Sequence, residues 1–145
     1  MKLDVYTDGA CLGNPGPGGW GAVVYREGVI IHEMSGGEAH TTNNRMELMG
    51  VLETLRHFQD SHHGLTIVSD SKYVVNNVPG LATWASRGWK GANKKPVKNP
   101  DLWQEMYAFC AERPITFRWV RGHSGNEGNE RADYLATTKA KEYQN

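Results

Sequence analysis

The sequence of 145 residues contains only two cysteines, Cys11 and Cys110, and no long apolar run. Two thiols are too few for a disulfide framework or a four-thiolate zinc site, although they leave one bridge between them open. A membrane span needs about 18 consecutive apolar residues, and the acidic Asp4 interrupts any secretory signal. These absences exclude secreted miniproteins, membrane proteins and zinc fingers. They predict a single cytoplasmic domain over residues 1–145.

The chain also lacks net charge, with 16 basic and 16 acidic side chains, but the charges are unevenly distributed. Residues 84–100, here called the basic segment, hold five lysine and arginine residues and no acid, which leaves an excess of acids elsewhere. Trp84 and Trp89 lie among these cations. Aromatic faces beside cations are typical of surfaces that bind nucleic acid, whereas the simpler alternative is a solvated basic loop.

Hydrophobic periodicity predicts an α/β fold. Strands are expected over residues 3–8, 20–25, 29–34, 65–69 and 115–119, with a glycine-rich loop over residues 9–19. Helices are expected after Asn44, from Asn99-Pro100 to Arg113, and near the end of the chain. The second helix has a predicted buried stripe of Leu102, Met106, Phe109 and Cys110, and the last strand one of Ile115, Phe117 and Trp119. This order of elements predicts a mixed sheet with helices packed on its faces.

Four acids occupy informative positions: Asp8, Glu47, Asp70 and Asp133. Each has a structural alternative. Asp8 could belong to a turn, and Glu47 could complete a capping box with Asn44. Asp70 could cap a helix, and Asp133 could lie on an exposed helix face. If the first and fourth strands are parallel neighbours, Asp8 and Asp70 lie side by side at one edge of the sheet. The first helix can then add Glu47, and the last helix can add Asp133. Converging acids raise one another's pKa, and Mg²⁺ or Mn²⁺ would resolve the repulsion. Two such ions about 4 Å apart suit in-line attack on a phosphodiester.

Six motifs in a fixed order resemble the bacterial ribonuclease HI family over nearly the whole chain. They lie at residues 6–16, 41–48, 70–74, 87–90, 94–99 and 119–123. The resemblance implies a ribonuclease H-like fold with five strands, the first three antiparallel, helices on both faces and a basic protrusion. It also implies an endonuclease that cuts RNA within RNA–DNA hybrids and leaves 5′-phosphate and 3′-hydroxyl ends.

The same resemblance assigns roles to individual residues. Asp8, Glu47, Asp70 and Asp133 would be the catalytic ligands of two Mg²⁺ ions, with Mn²⁺ as a substitute. Asp8 and Asp70 would bridge the ions, and Glu47 would lie on the leaving-group side. His123, in a loop between Gly122 and Gly125, would move a proton to the leaving oxygen or help product release, because an imidazole titrates near neutral pH. The simpler alternative is a surface histidine.

Nucleic-acid contacts also follow from the resemblance. The RNA strand would contact Cys11, Gly13, Asn14, Asn43, Asn44 and Lys72. The DNA strand and its phosphates would contact Thr42, Asn44, Trp84, Arg87, Trp89, Lys90, Lys94, Lys95 and Lys98. The partner would be an RNA–DNA hybrid, with no membrane.

Two departures from the family pattern affect these contacts. Many members have glutamine where this chain has Lys72, and well-known members have lysines where it has Ala85 and Ser86. Lys72 can hold a phosphate but cannot accept a hydrogen bond as glutamine does. Because the basic segment has fewer lysines, we expect weaker hybrid affinity and a shallower dependence on salt. The alternatives are a non-catalytic hybrid-binding module on the same fold, or a related enzyme such as a junction resolvase or the nuclease part of a reverse transcriptase. A monomer is expected, because the sequence shows no surplus apolar stripe.

Overall fold

The computed structural model describes residues 2–144 and contains a five-stranded mixed sheet. The strands are β1 (Lys2–Cys11), β2 (Gly16–Arg26), β3 (Val29–Thr41), β4 (Gly64–Ser69) and β5 (Ile115–Trp119). Their order across the sheet is β3-β2-β1-β4-β5. The first three strands pair antiparallel, and β4 pairs parallel with both β1 and β5. The predicted α/β architecture and the parallel pairing of the first and fourth strands are confirmed.

Helices cover both faces of this sheet. They are α1 (Asn43–His57), α2 (Lys72–Asn77), α3 (Leu81–Ser86), α4 (Pro100–Glu112) and α5 (Glu127–Glu142), with a short 3₁₀ turn between α2 and α3. Successive residues of a strand point to opposite faces. Ala22 and Val24 of β2 therefore join the core beneath α1 and α4, whereas Gly19 and Gly21 contact α5. None of the helices described is long and apolar enough to cross a membrane.

The glycine-rich run at residues 9–19 is mostly strand, and the prediction of a loop there was wrong. Only residues 12–15 form the connection between β1 and β2. A Cβ atom on Gly9 would lie 2.4 Å from the Glu47 backbone nitrogen, and one on Gly19 would lie 2.3 Å from the Ala136 carbonyl oxygen. These glycines let α1 and α5 approach the sheet backbone, which is a packing role that composition alone does not separate from a turn.

The core beneath α4 differs from the predicted stripe in one residue of consequence. Trp103 is fully buried beside Leu102 and Met106, whereas Phe109 and Cys110 are only half-buried. The Trp103 indole N–H donates a hydrogen bond to the Tyr73 hydroxyl at 3.0 Å. A buried tryptophan needs such an acceptor, and that acceptor comes from α2, a helix that the sequence pattern did not resolve.

Two further expectations about exposed residues were wrong. Trp119 at the end of β5 is 40% exposed, although Ile115 and Phe117 pack against the core as predicted. Residues 29–31, at the start of the edge strand β3, expose three apolar side chains in succession, so apolar surface is left exposed at this edge of the sheet. Cys11 and Cys110 are both free, which settles the disulfide alternative.

Candidate active site

Three of the four predicted acids meet at the carboxyl ends of β1 and β4. The parallel register pairs Thr7 with Ser69, so Asp8 and Asp70 follow side by side, and α1 brings Glu47 across this edge of the sheet. Each of the three residues offers a carboxylate oxygen within 4.8 Å of those of the other two. Asp8 and Glu47 are each only 4% exposed. Residues separated by more than 60 positions in the sequence therefore form one buried acidic cluster.

Asp133 and His123 line the same cavity, which has a volume of about 430 Å³. Asp133 lies on α5 and is half-buried, outside the 4.8 Å group of three acids but facing the same space. His123 is exposed in the loop between β5 and α5, with a positive φ of 54°. Cys11 and Asn43 also line this cavity. The structure thus brings all five predicted catalytic residues to one place.

The structural alternatives for the acids do not explain these positions. Thr42, and not Asn44, caps α1, because its hydroxyl accepts a hydrogen bond from the Arg45 backbone N–H at 3.3 Å. Ser71 caps α2 by accepting from the Val74 N–H at 3.2 Å. Asp8 lies within β1 and not in a turn, and Asp133 is half-buried. Glu47 and Asp70 are therefore free of capping roles.

The acidic cluster has the electrostatics of a cation site. Burial raises the pKa of both Asp8 and Glu47, and the neighbouring Asp70 carboxyl group raises it further. The Gly9 backbone N–H donates to Asp8 Oδ1 at 2.9 Å and also to Glu47 Oε1. Glu47 Oε2 is buried without any partner among the residues described. An unpaired buried carboxylate oxygen beside two more carboxylates fits a hard divalent cation such as Mg²⁺ or Mn²⁺.

A second cavity of about 450 Å³ lies at the start of α1. It is lined by Asn14, Pro15, Thr42, Asn44, Lys98 and Asn99. Asn14 Oδ1 accepts a hydrogen bond from the Asn43 backbone N–H at 2.9 Å, which ties the turn at residues 12–15 to the helix. Amide and hydroxyl groups, a lysine and a helix N-terminus together suit a phosphate group. Gly13 lies in the turn with a φ of 68°.

Sequence reasoning missed Asn99 as a residue of this second cavity. Asn99 adopts the left-handed conformation with a φ of 54°, and its amide donates to the Tyr73 hydroxyl at 3.1 Å. Its side-chain oxygen accepts from Arg45 at 3.4 Å. The available signal was the Asn-Pro pair, which predicts a helix start but says nothing about the partners of the amide.

The basic segment has a different arrangement from the one predicted. Trp84 packs against Trp103 with ring centroids 5.4 Å apart, and Trp89 packs against Tyr107 at 5.9 Å. Both rings are half-buried and anchor the segment to α4. The chain folds back on itself, with a hydrogen bond from the Val97 N–H to the Trp89 carbonyl. Five cations of the segment are exposed and take part in no ion pair among residues 2–144: Arg87, Lys90, Lys94, Lys95 and Lys98.

The chain is similar in sequence to known proteins. The family model described as RNase H matches residues 1–141. The chain belongs to the ribonuclease H family. A curated ribonuclease H from Nitratidesulfovibrio vulgaris strain DP4 is 53% identical over 97% of this chain and 90% of its own length. One from Francisella philomiragia subsp. philomiragia is 54% identical over 90% of this chain and 86% of its own length.

Solved ribonuclease H structures have the same fold. LC9-RNase H1, a type 1 RNase H with the type 2 active-site motif, aligns with a TM-score of 0.84 at 36% identity, over 97% of this chain and 72% of that one. A foamy viral protease-reverse transcriptase in complex with RNA/DNA hybrid aligns with a TM-score of 0.86 at 26% identity, over 95% of this chain and 20% of that one. The ribonuclease H family consists of metal-dependent hydrolytic endonucleases, so the protein is an enzyme and the alternative of a non-catalytic module is not favoured.

Proposed function

We propose that the protein is an endonuclease that hydrolyses the RNA strand of RNA–DNA hybrids and leaves 5′-phosphate and 3′-hydroxyl ends. The observation that carries this proposal is the acidic cluster of Asp8, Glu47 and Asp70, with one buried carboxylate oxygen unpaired. A cluster of oxygen ligands at the bottom of an open cavity suits metal-assisted hydrolysis of a phosphodiester. Relatives named ribonuclease H at 50–54% identity support the same reaction class.

Asp8, Glu47 and Asp70 would hold Mg²⁺, and Asp133 would complete a site for two ions from the facing helix. When bound, the metal polarises the phosphate and lowers the pKa of a bound water. Mn²⁺ suits the same oxygen ligands. The Gly9 N–H fixes the orientation of Asp8 and Glu47, because it donates to both. Ligands held in place before metal arrives need less rearrangement during the reaction.

His123 would handle the proton at the leaving 3′-oxygen or help product release. It lines the cavity from an exposed loop, whereas the acids are fixed on strands and helices. An imidazole near neutral pH both accepts and donates a proton, so a histidine that reaches the cavity suits general acid–base chemistry.

The RNA strand would lie over the turn at residues 12–15 and the start of α1. Recognition of RNA depends on the 2′-hydroxyl, which both donates and accepts hydrogen bonds. The residues assigned to this strand are Cys11, Gly13, Asn14, Asn43, Asn44 and Lys72. Cys11 and Asn43 line the catalytic cavity, and Asn14 is hydrogen-bonded to the backbone of Asn43, which supports a continuous contact surface.

The DNA strand would pass from the second cavity to the basic segment. Thr42, Asn44 and Lys98 meet in that cavity, which suits one phosphate. Arg87, Lys90 and Lys94 line a further groove, which suits the continuing backbone. Trp84 and Trp89 would support these cations from below, because both rings pack against α4.

A cleavage assay with four substrates tests the function. The substrates are RNA–DNA hybrid, duplex RNA, duplex DNA and a four-way junction, each with Mg²⁺. Together they distinguish a hybrid nuclease from other enzymes of the same fold. We expect cleavage of the RNA strand of the hybrid alone. Asp70→Asn should abolish cleavage and retain hybrid binding, and Asp60→Asn, at an exposed site outside both cavities, is the matched control. Turnover by Asp70→Asn would contradict the proposed site.

The activity would belong to a single cytoplasmic domain that acts as a monomer. Two free cysteines suit a reducing compartment. Size-exclusion chromatography with light scattering tests the monomer. Association through the exposed apolar residues 29–31 of β3 is the competing outcome.

A further inference from the structure

Lys72 and Trp119 form a cation–π pair at the start of α2. The Lys72 ammonium lies 5.1 Å from the centroid of the Trp119 ring. Lys72 is exposed, and none of the ion pairs within residues 2–144 includes it. A surface lysine ordinarily has a mobile ammonium group, and an aromatic face restricts it without neutralising its charge. The pair therefore presents a fixed positive charge that no carboxylate compensates.

The orientation of Trp119 is set by a hydrogen bond to the chain next to the catalytic acid. Its indole N–H donates to the Asp70 backbone carbonyl at 3.0 Å. The ring remains 40% exposed although the preceding alternate residues of β5 pack against the core. One edge of the indole is thus hydrogen-bonded to the residue that follows β4, and one face is available to Lys72.

The pair stands beside the catalytic cavity. Ser71, which directly precedes Lys72, lines that cavity, and so do Gly122 and His123, which follow shortly after Trp119. The cavity itself is rich in carboxylates, and these repel the phosphates that flank a scissile bond. A fixed cation at this border offsets that repulsion for a phosphate next to the reacting one.

We infer that Trp119 is a positioning residue that holds the Lys72 ammonium against a phosphate of the cleaved strand adjacent to the scissile one. The inference rests on the proposed function, because it places that strand in the catalytic cavity. A lysine binds phosphate as a point charge and does not read the base, so this contact adds salt-dependent affinity without sequence preference.

Steady-state cleavage of a hybrid at several KCl concentrations tests the inference. Lys72→Gln should raise KM about 3- to 10-fold at low salt and reduce the salt slope by about one, the effect of removing one phosphate contact. Trp119→Leu should raise KM less, and should add nothing when Lys72→Gln is already present, because it acts through that lysine. Trp119→Phe retains an aromatic face, so its KM should be closer to that of the unaltered enzyme than the KM of Trp119→Leu is, although phenylalanine lacks the N–H.

Lys2→Gln is the matched control, because it removes the same charge at the other end of β1. It should leave KM and the salt slope unchanged. An unchanged slope for Lys72→Gln would overturn the inference, and so would a Trp119→Leu effect on KM that is equal with and without Lys72. Failure of the proposed function would look different, because the unaltered enzyme would then leave the RNA strand of the hybrid intact.

Discussion

The catalytic cavity and the basic segment arrange their charged side chains in opposite ways. The cavity gathers acids from two strands and two helices, buries two of them and raises their pKa values. The basic segment is contiguous in sequence, and its five cations are exposed. Its apolar anchors, Trp84 and Trp89, lie beneath the charges and not among them. In the catalytic cavity the fold brings together like charges that are distant in sequence, whereas in the basic segment it only supports charges that are already neighbours in sequence.

This difference has an energetic meaning. Buried like charges are unfavourable until a cation arrives, so the acidic cluster opposes folding and is retained for chemistry. Exposed cations contribute little to the stability of the free protein, and they act when they displace counterions from a polyanion. Changes in the cavity should therefore alter turnover and stability strongly, and changes in the basic segment should alter affinity and its dependence on salt.

Glu47→Gln is expected to have the largest effect. It keeps the shape and the hydrogen bond from the Gly9 N–H, but it removes the charge that a divalent cation needs. Loss of several kcal/mol of metal-assisted stabilisation corresponds to a fall in kcat of at least about 1000-fold. Single-turnover cleavage at saturating hybrid measures this. Glu112→Gln, an exposed acid at the end of α4, is the control, and near-normal turnover of Glu47→Gln would show that Glu47 is no metal ligand.

Asp8→Asn is expected to stabilise the metal-free protein. Burial raises the pKa of Asp8 in the folded state, whereas the unfolded chain titrates near the ordinary carboxyl value of about 4. As the pH rises above that value, the unfolded chain releases its proton first, so the free energy of unfolding falls until the folded carboxyl group also ionises. The variant should lack this loss. It should be more stable at pH 8 by about 1–3 kcal/mol, on the scale of 1.4 kcal/mol per pKa unit.

Urea unfolding in EDTA between pH 4 and pH 9 measures the effect. Added Mg²⁺ should stabilise the unaltered protein more than the variant, because the variant has lost a ligand. Asp4→Asn is the control, since Asp4 lies on the same face of β1 but is exposed. Equal stability of Asp8→Asn and the unaltered protein across the pH range would contradict an electrostatically opposed cluster.

The sequence predicted the sheet and the acids because their signals are local. Strand periodicity placed Asp8 and Asp70 at the ends of two strands. The structure shows that these strands are parallel neighbours and brings both acids together with Glu47. The order of elements already allowed the terminal helix to add Asp133, whereas the resemblance to a known family added His123. The catalytic roles of both residues stay predictions.

The features that the sequence did not predict depend on contacts between distant elements. The buried Trp103 donates its N–H to the Tyr73 hydroxyl of α2, and the exposed Trp119 donates to the Asp70 carbonyl and contacts Lys72 with its ring. Trp84 is anchored by Trp103 of α4, which its neighbouring cations do not indicate. The sequence shows where each tryptophan lies, but the residue that it packs against or bonds to is elsewhere in the chain. Aromatic residues are therefore the weakest part of a prediction made from periodicity.

Adding lysines at Ala85 and Ser86 should produce the smallest of these effects. Ser86 is exposed and Ala85 half-buried at the end of α3, directly before Arg87 of the basic segment. Two more cations there should tighten hybrid binding a few-fold at low salt and steepen the salt slope by up to about two, with no change in kcat. Binding titrations from 50 to 300 mM KCl measure this, and Thr138→Lys/Gln144→Lys, on and just after α5, supplies the same charge on the other face. If the control steepens the slope as much as Ala85→Lys/Ser86→Lys, then total charge governs affinity, and the basic segment has no special role as a binding platform.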